Sequence, residues 1–363
     1  MREPGSERSE RQPTSRSERH GAASEPARIA RLIAGLPAGE GVVVGPGDDA
    51  AVLRPREGRD LVVTTDALVE GRHFRRDLLA PEEAGTRLAA ANLSDLAAMA
   101  AEPRWALLSL VVPPSWSADE CEALERACAR ALFAEGAALV GGNLASGDGP
   151  LAASLTLLGE VERGRAWTRR GAESGDLLAV TGVPGSAAAF LALMSDPPSR
   201  DRVPGELVQR VVAPPCRVRL ARALAAAGGV RAAIDISDGL ASDLSHLCRA
   251  NGLGARVDEA SLPLDPALAA AGRSLAGQEK GPLPAGEVAM LTRLRLGASD
   301  DYELLLAIDP GRWSECERIA REAGAPLARV GELTAGPALV LRTPAGEEHH
   351  LDTSGWDHFT RPR

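Results

Sequence analysis

From Arg28 onward, short continuous apolar runs that stop at Asp, Gly or Pro alternate with stretches whose apolar residues recur at helical spacing. That alternation commits the chain to sheets covered by helices, because a buried strand reads as an unbroken apolar run and a covering helix as an apolar stripe. Leu61 to Thr65 predicts a strand ending at Asp66, Trp105 to Val112 a buried strand closed by Pro113 and Pro114, and Leu151 to Glu160 another. Between them, Glu82 to Ala101 reads as a helix through Leu88, Leu93, Leu96 and Met99. Ser117 caps a second helix carrying Cys121, Leu124, Cys128 and Leu132. Gly and charge replace this pattern over Arg163 to Gly175. Strands at Leu177–Thr181, Ala232–Ile236, Leu304–Ile308 and Leu339–Arg342 follow, interleaved with helices after Pro184-Gly185-Ser186, at Cys216–Ala227, at Gly239–Ala250 and near Arg312–Ala323. These spacings are too irregular for a TIM barrel. At ~150 residues per domain, a chain of this length fits two domains. The expectation is an α/β (α+β) protein: an N-terminal mixed sheet with helices over residues 28–162 and a C-terminal α/β domain over 163–363. Residues 1–27 are Ser, Arg, Glu and Pro with almost nothing to bury, and a disordered tail is expected there.

Composition narrows the chemistry. Of the 41 basic residues 40 are Arg, and Lys280 is the single Lys, placed in a loop-like Gln-Glu-Lys-Gly-Pro segment. A P-loop, a kinase strand Lys and a Schiff-base nucleophile all need a Lys elsewhere, so phosphates must be met by Arg, backbone N–H groups or metal ions. The net charge of −9 argues against a nucleic-acid surface or docking on anionic lipid. Five scattered Cys without a C-x-x-C pair argue against a disulfide framework or zinc site, and a reducing cytoplasm is the expected compartment. No apolar run approaches a membrane span and no signal-peptide core stands at the N-terminus.

The aspartates carry the information. They fall beside Gly or at strand ends: Asp48 and Asp49 in GPGDDA, Asp66 in VVTTDALVEG, Asp95 in NLSDLAAMAA, and Asp235 and Asp238 in AIDISDG. Taken singly each has a plain structural explanation: a turn residue, a polar helix face or helix start, a strand exit with an N-cap. If they converge, their repulsion demands cations, and short carboxylates with substrate phosphates suit Mg²⁺. His246, His349, His350 and His358 show no metal-ligand spacing.

GPGDDAAVL, TTDALVEGRHF, NLSDLAAMAAEP, DISDGLASDL, DDYELLL and the terminal GWDHF occur in the order found in one family. Over Arg28 to Phe359 the chain resembles the thiamine-monophosphate kinases. Their superfamily includes aminoimidazole ribonucleotide synthetase, selenophosphate synthetase and a hydrogenase maturation factor. EGRHF and GWDHF point to the kinases within it.

The resemblance implies a two-domain PurM-like fold and a cytoplasmic homodimer that uses ATP and several Mg²⁺ to convert thiamine phosphate to thiamine diphosphate. It implies that Asp49, Thr64, Thr65, Asp66 and Asp95 hold Mg²⁺, with Asp235 and Asp238 holding more from the second domain. Gly141, Gly142, Asn143, Arg169 and Ser237 would contact ATP, Arg169 standing in for the missing P-loop Lys. His73, Asp300 and Trp356 fall where thiamine phosphate is held, Trp356 able to stack on a cationic thiazolium. A phosphate acceptor is already largely dianionic at pH 7, so no general base is expected. Two departures stand out. The family has Gly-Gly-Asp, with Asp a metal ligand, at Gly141-Gly142-Asn143, and Gly-Gly-Glu-Asp-Tyr-Glu at Ala298-Ser299-Asp300-Asp301-Tyr302-Glu303. They leave open a catalytically weakened nucleotide- and metal-binding paralogue. Another ATP-using enzyme of the superfamily is disfavoured by GWDHF.

Overall fold

The computed structural model describes residues 29–31, 33, 35–194, 200–276 and 285–356. The tail expected over residues 1–27, Lys280, and His358 and Phe359 of the terminal motif lie outside them.

The first half begins with a short pair, β1 (Val42–Val44) and β2 (Val52–Leu53), joined by the GPGDDA loop. It continues with β3 (Arg59–Val69), α1 (Pro81–Ala98), β4 (Glu102–Val112), α2 (Ala118–Ala134), β5 (Ala138–Ser146) and β6 (Ala152–Glu162). The last four strands form one sheet in the order β3-β6-β4-β5, with β4 and β5 parallel and the other pairs antiparallel. Ala106, Leu108, Leu110 and Val112 of β4 alternate onto the face covered by α1 and α2 and are buried there. Each fully buried Leu stabilises the fold by about 1.5–3 kcal/mol. The two helices cross closely because a Cβ at Gly85 would stand 2.0 Å from the carbonyl oxygen of Leu124. Ser117 caps α2 as its sequence predicts: its Oγ accepts the Glu120 N–H at 3.2 Å while Glu120 reaches back to the Ser117 N–H.

The second half supplies β7 (Leu177–Thr181), α3 (Ser186–Leu193), α4 (Gly205–Val212), α5 (Val218–Ala227), β8 (Val230–Ile236), α6 (Leu240–Asn251), β9 (Leu253–Asp258), α7 (Pro266–Leu275) and α8 (Ala285–Leu296). After these come β10 (Glu303–Ile308), α9 (Trp313–Glu322), β11 (Leu327–Ala335), β12 (Leu339–Arg342) and β13 (Glu348–His350). Seven strands form one sheet, β13-β12-β9-β11-β7-β10-β8, antiparallel except for β12 beside β9. All of β7 and β10 is buried, which is why both read as unbroken apolar runs.

Strands β9 and β11 are not evident in the sequence, because Gly254 and Gly331 interrupt them and Arg and Glu fill alternate positions. Both glycines are dictated by close packing: a Cβ at Gly331 would meet the Arg256 carbonyl oxygen at 2.0 Å, and one at Gly254 that of Ala338 at 2.2 Å. Strand β3 does not stop at Asp66 but runs on to Val69, since Asp66 faces α1 within the strand. Helix α1 is wedged between the halves, packing on β3 and β6 of one sheet and on β8 and β10 of the other. That position puts the NLSD residues of α1 against the DISD strand.

Candidate active site

The sheet register decides which motif residues meet. Asp66 of β3 stands beside Leu155 of β6, and Thr64 beside Leu157. Leu155 and Leu157 are fully buried on the helix-covered face. Thr64 and Asp66 therefore point toward α1, where Thr64 Oγ1 donates a short hydrogen bond to Asp95 Oδ2. One residue earlier on the helix, Ser94 Oγ donates to Asp235 Oδ2 at 3.0 Å. Asp235 is only 6% exposed, on the last turn of the pleat before β8 ends.

Three carboxylates thus share one partly desolvated space, and their proton affinities report it. Burial, then the Asp95 charge, raises the Asp66 pKa to about 6. Burial also raises Asp95, against the opposing effects of the Thr64 hydrogen bond and the Arg169 charge. Asp235 is pushed up to about 8 by burial first and then by Asp95, Asp243 and Asp66. Such a set of oxygen donors, with more negative charge than its surroundings neutralise, fits a hard divalent cation.

The turn after β8 adds a second acidic group. Asp243 Oδ2 accepts the N–H groups of Ser237, Asp238 and Gly239 at 3.1, 3.1 and 3.2 Å, which fixes the loop that presents Ser237 and Asp238. Gly239 sits at φ +116°, and a Cβ there would lie 2.1 Å from the Gly297 carbonyl oxygen, so the turn also abuts the segment leading to Asp300. Ligand atoms of Asp238, Asp243 and His246 lie within 4.8 Å of one another. The sequence offers no candidate role for Asp243 and shows no metal-ligand spacing at His246 among the histidines; the signal lies instead in the i, i+3 spacing of Asp243 and His246 on α6, just after Asp238. Trp356 comes to the same turn: its backbone N–H donates to the Asp238 carbonyl at 3.2 Å while the residue stays 45% exposed.

Asp300 follows the Gly297–Ala298 stretch that abuts this turn. Its carboxylate pairs with the buried Arg87 of α1, and its neighbour Asp301 accepts the Gly185 and Ala187 N–H groups at 2.6 and 3.0 Å. Arg169 is exposed, on a strip held by Asn251, whose Nδ2 donates to the Arg169 carbonyl at 2.7 Å. His73 follows β3, its Nδ1 accepting the Val69 N–H at 3.0 Å.

The remaining motif residues lie on the opposite face of the four-stranded sheet. Thr65 Oγ1 is 3.1 Å from Thr156 Oγ1, on the side away from α1. Ser109 pairs with Asn143 on one side and Ser154 on the other, so these three side chains share that outer face. A groove of about 1480 Å³ there is lined by Asp48, Asp49, Gly141, Gly142, Asn143 and Ser109, among others. Gly142 is needed for strand packing, since a Cβ would sit 1.9 Å from the Leu108 carbonyl oxygen. The structure therefore gathers Thr64, Asp66, Asp95 and Asp235 in one cluster, and Asp49 and Gly141 to Asn143 in another place.

Residues 47–161 match the AIR synthase related protein N-terminal domain and residues 173–343 its C-terminal domain, so the class is a two-domain AIR synthase related protein. The Escherichia coli K12 thiamine-monophosphate kinase is 35% identical over 331 residues, covering 88% of this chain and 93% of that protein. The Stenotrophomonas maltophilia K279a thiamine-monophosphate kinase structure superposes with a TM-score of 0.75 at 32% identity, covering 91% of this chain and 98% of that one. AaThiL complexed with AMPPCP and TMP gives a TM-score of 0.69 at 27% identity over 84% of this chain and 89% of that one. The chain belongs to the thiamine-monophosphate kinase family.

Proposed function

We propose that the chain is an ATP- and Mg²⁺-dependent kinase that transfers the terminal phosphoryl group of ATP directly to thiamine phosphate, giving thiamine diphosphate. The observation that carries this reading is the cluster of Thr64, Asp66, Asp95 and Asp235, where three carboxylates crowd into a buried space at the junction of the two sheets. Bound there, Mg²⁺ would neutralise the phosphate oxygens of two polyanions that otherwise repel. Asp66, Asp95 and Thr64 would hold it from the first sheet, Asp235 and Asp238 from the second. Asp49 and Thr65, on the outer side, would hold further ions when the GPGDDA loop and the nucleotide are in place.

The protein's own residues do the rest. Gly141, Gly142, Asn143, Ser237 and Arg169 would bind ATP, with Arg169 the fixed cation near Asp95. Asp300, His73 and Trp356 would orient thiamine phosphate. No side chain is needed to take a proton from an acceptor that is already a dianion. By the same reading residues 28–162 form the nucleotide- and metal-binding domain and 163–363 the second domain. Val63, 59% exposed, with Leu61, Leu107 and Val111 gives the outer sheet face an apolar surface suited to a second copy of this chain. Five free cysteines accord with the cytoplasm as its compartment, and among the described residues no helix is long and apolar enough to cross a membrane.

The test is to incubate purified protein with Mg²⁺-ATP and thiamine phosphate and follow thiamine diphosphate by chromatography. Product that disappears with EDTA is expected. ATP binding without product would instead identify a nucleotide-binding paralogue, the reading that Asn143 favours.

A further inference from the structure

Arg87 is the one charged side chain of α1 that reaches the second half of the molecule from deep burial. It is 3% exposed, and its guanidinium divides its donors among three places. Nη1 donates to the Val211 carbonyl at 2.6 Å at the end of α4. Nη2 donates to the Asp300 carbonyl at 3.2 Å and also pairs with the Asp300 carboxylate at Oδ2. The guanidinium carbon Cζ lies over the Tyr302 ring, 5.1 Å from its centroid. Only a planar fork can make these contacts together; an ammonium group would have to choose among them.

The segment it grips is otherwise latched from the second domain alone. Ser299 Oγ accepts the Ala188 N–H at 3.1 Å, Asp301 accepts two N–H groups at the start of α3, and the Tyr302 N–H donates to the Ile236 carbonyl at 2.9 Å. Tyr302 is held at φ +55°, a conformation that a bulky residue adopts only when its surroundings impose it. Between these latches Asp300 is tied to the first half of the chain through Arg87, which also lies over the Tyr302 ring. The Asp300 side chain is engaged at Oδ2 by Arg87 and remains 37% exposed. Arg87 also shares its helix with Asp95, eight residues on, about 12 Å along the axis at 1.5 Å per residue. One rigid element therefore carries both a member of the carboxylate cluster and the group that sets the Asp300 carboxylate.

We propose that Arg87 is a positioning residue for the phosphoryl acceptor: it aims the Asp300 carboxylate at the cationic, amino-bearing heteroaromatic part of the substrate and ties that subsite to the metal cluster through α1. The inference rests on the functional reading above. It also accounts for the shorter side chain at position 300, since an Asp whose carbonyl and carboxylate are both gripped by one guanidinium needs no reach of its own.

Steady-state kinetics and calorimetric binding of thiamine phosphate on the full-length protein test it, with Arg87→Ala, Arg87→Lys, Asp300→Asn and the Arg87→Ala/Asp300→Asn double variant. Removing an outer-shell partner that orients a metal ligand costs about 10–100-fold, and a loss of that order is expected for a residue that orients a substrate-binding carboxylate. Arg87→Ala is expected to raise KM and Kd for thiamine phosphate by about tenfold or more, with kcat falling less, and to leave KM for ATP within about twofold. Arg87→Lys should recover part of the loss, and in the Asp300→Asn background Arg87→Ala should add less than about twofold, because the two act as a unit. If Arg87→Ala shows no cooperative thermal transition, Arg87→Lys against wild type carries the same comparison with the same expected split between the substrates. An unchanged KM for thiamine phosphate in a folded variant, an equal rise for both substrates, or additive losses would overturn the proposal. Wild-type protein that binds ATP but neither binds nor phosphorylates thiamine phosphate overturns the functional reading itself.

Discussion

The two faces of the four-stranded sheet carry the same kinds of residue in opposite conditions. On the inner face Thr64 and Asp66 are pressed against α1, where Asp95 and Asp235 join them and burial raises all three carboxyl pKa values. On the outer face Thr65, Ser109, Ser154 and Asn143 line an open surface beside exposed Asp48 and Asp49. The period of two in a strand splits Thr64-Thr65-Asp66 between them. The inner set has an electrostatic imbalance that a cation resolves, whereas water already solvates the outer set. Binding energy for metal is therefore expected to concentrate on the inner face.

The strongest test of that contrast removes one inner charge without changing shape. Asp95→Asn is expected to lower kcat/KM by about 10³-fold, since a metal held there would supply several kcal/mol and each tenfold is about 1.36 kcal/mol. In EDTA the same substitution should raise Tm, because one of the three repelling carboxylates is gone. Enzyme assays and thermal melts on the one variant read both signs. Full activity, or a lower Tm without metal, would show that Asp95 is only a partner for Thr64.

A pH series sharpens the same comparison with less perturbation. A carboxyl whose pKa is raised by folding holds its proton more tightly in the folded chain, so metal-free stability is expected to fall as pH rises from about 4, the unfolded value. The loss spans the window up to about 6 for Asp66 and Asp243 and about 8 for Asp235. Mg²⁺ should reverse it, and its stabilisation should be larger at pH 8 than at pH 6. Each kcal/mol would appear as roughly 2–4 °C in Tm for a domain of this size. Melts with EDTA and with Mg²⁺ at both pH values measure it, and an equal Mg²⁺ effect at the two would remove the cluster as the metal's site.

How much of this was legible follows from the same physics. The strands buried on both faces, β7 and β10, and the capped helix α2 are written in local pattern, and their boundaries read true to within a few residues. Strands β9 and β11 are not, because their glycines answer to carbonyls of Arg256 and Ala338 that are distant in sequence. Asp66, Asp95 and Asp235 could be picked as candidates from their neighbours. That they meet while Asn143 faces away depends on sheet register and on α1 lying between two sheets, neither of which a local window holds. Arg87 left no signal at all, being one Arg among 40 until the fold set it under Tyr302.

Position 143 offers the smallest and most discriminating effect. Its side chain stands on the outer face opposite Ser109 and lines the groove that holds Asp48 and Asp49. Asn keeps a carbonyl oxygen for a cation but lacks the charge. Restoring it by Asn143→Asp adds one exposed negative group, and in water a unit charge about 4 Å from a divalent cation contributes about 2 kcal/mol before salt screening, which is roughly a thirtyfold change in binding. The expected outcome is therefore a half-saturating Mg²⁺ concentration lower by up to about thirtyfold at saturating ATP, weakening with added salt as an exposed site must. The inner-face variant Asp95→Asn should shift the same curve the other way and by far more. A Mg²⁺ dependence that is unchanged or weaker in Asn143→Asp would show that the outer groove no longer serves a metal in this chain, leaving the inner cluster to carry the ions alone.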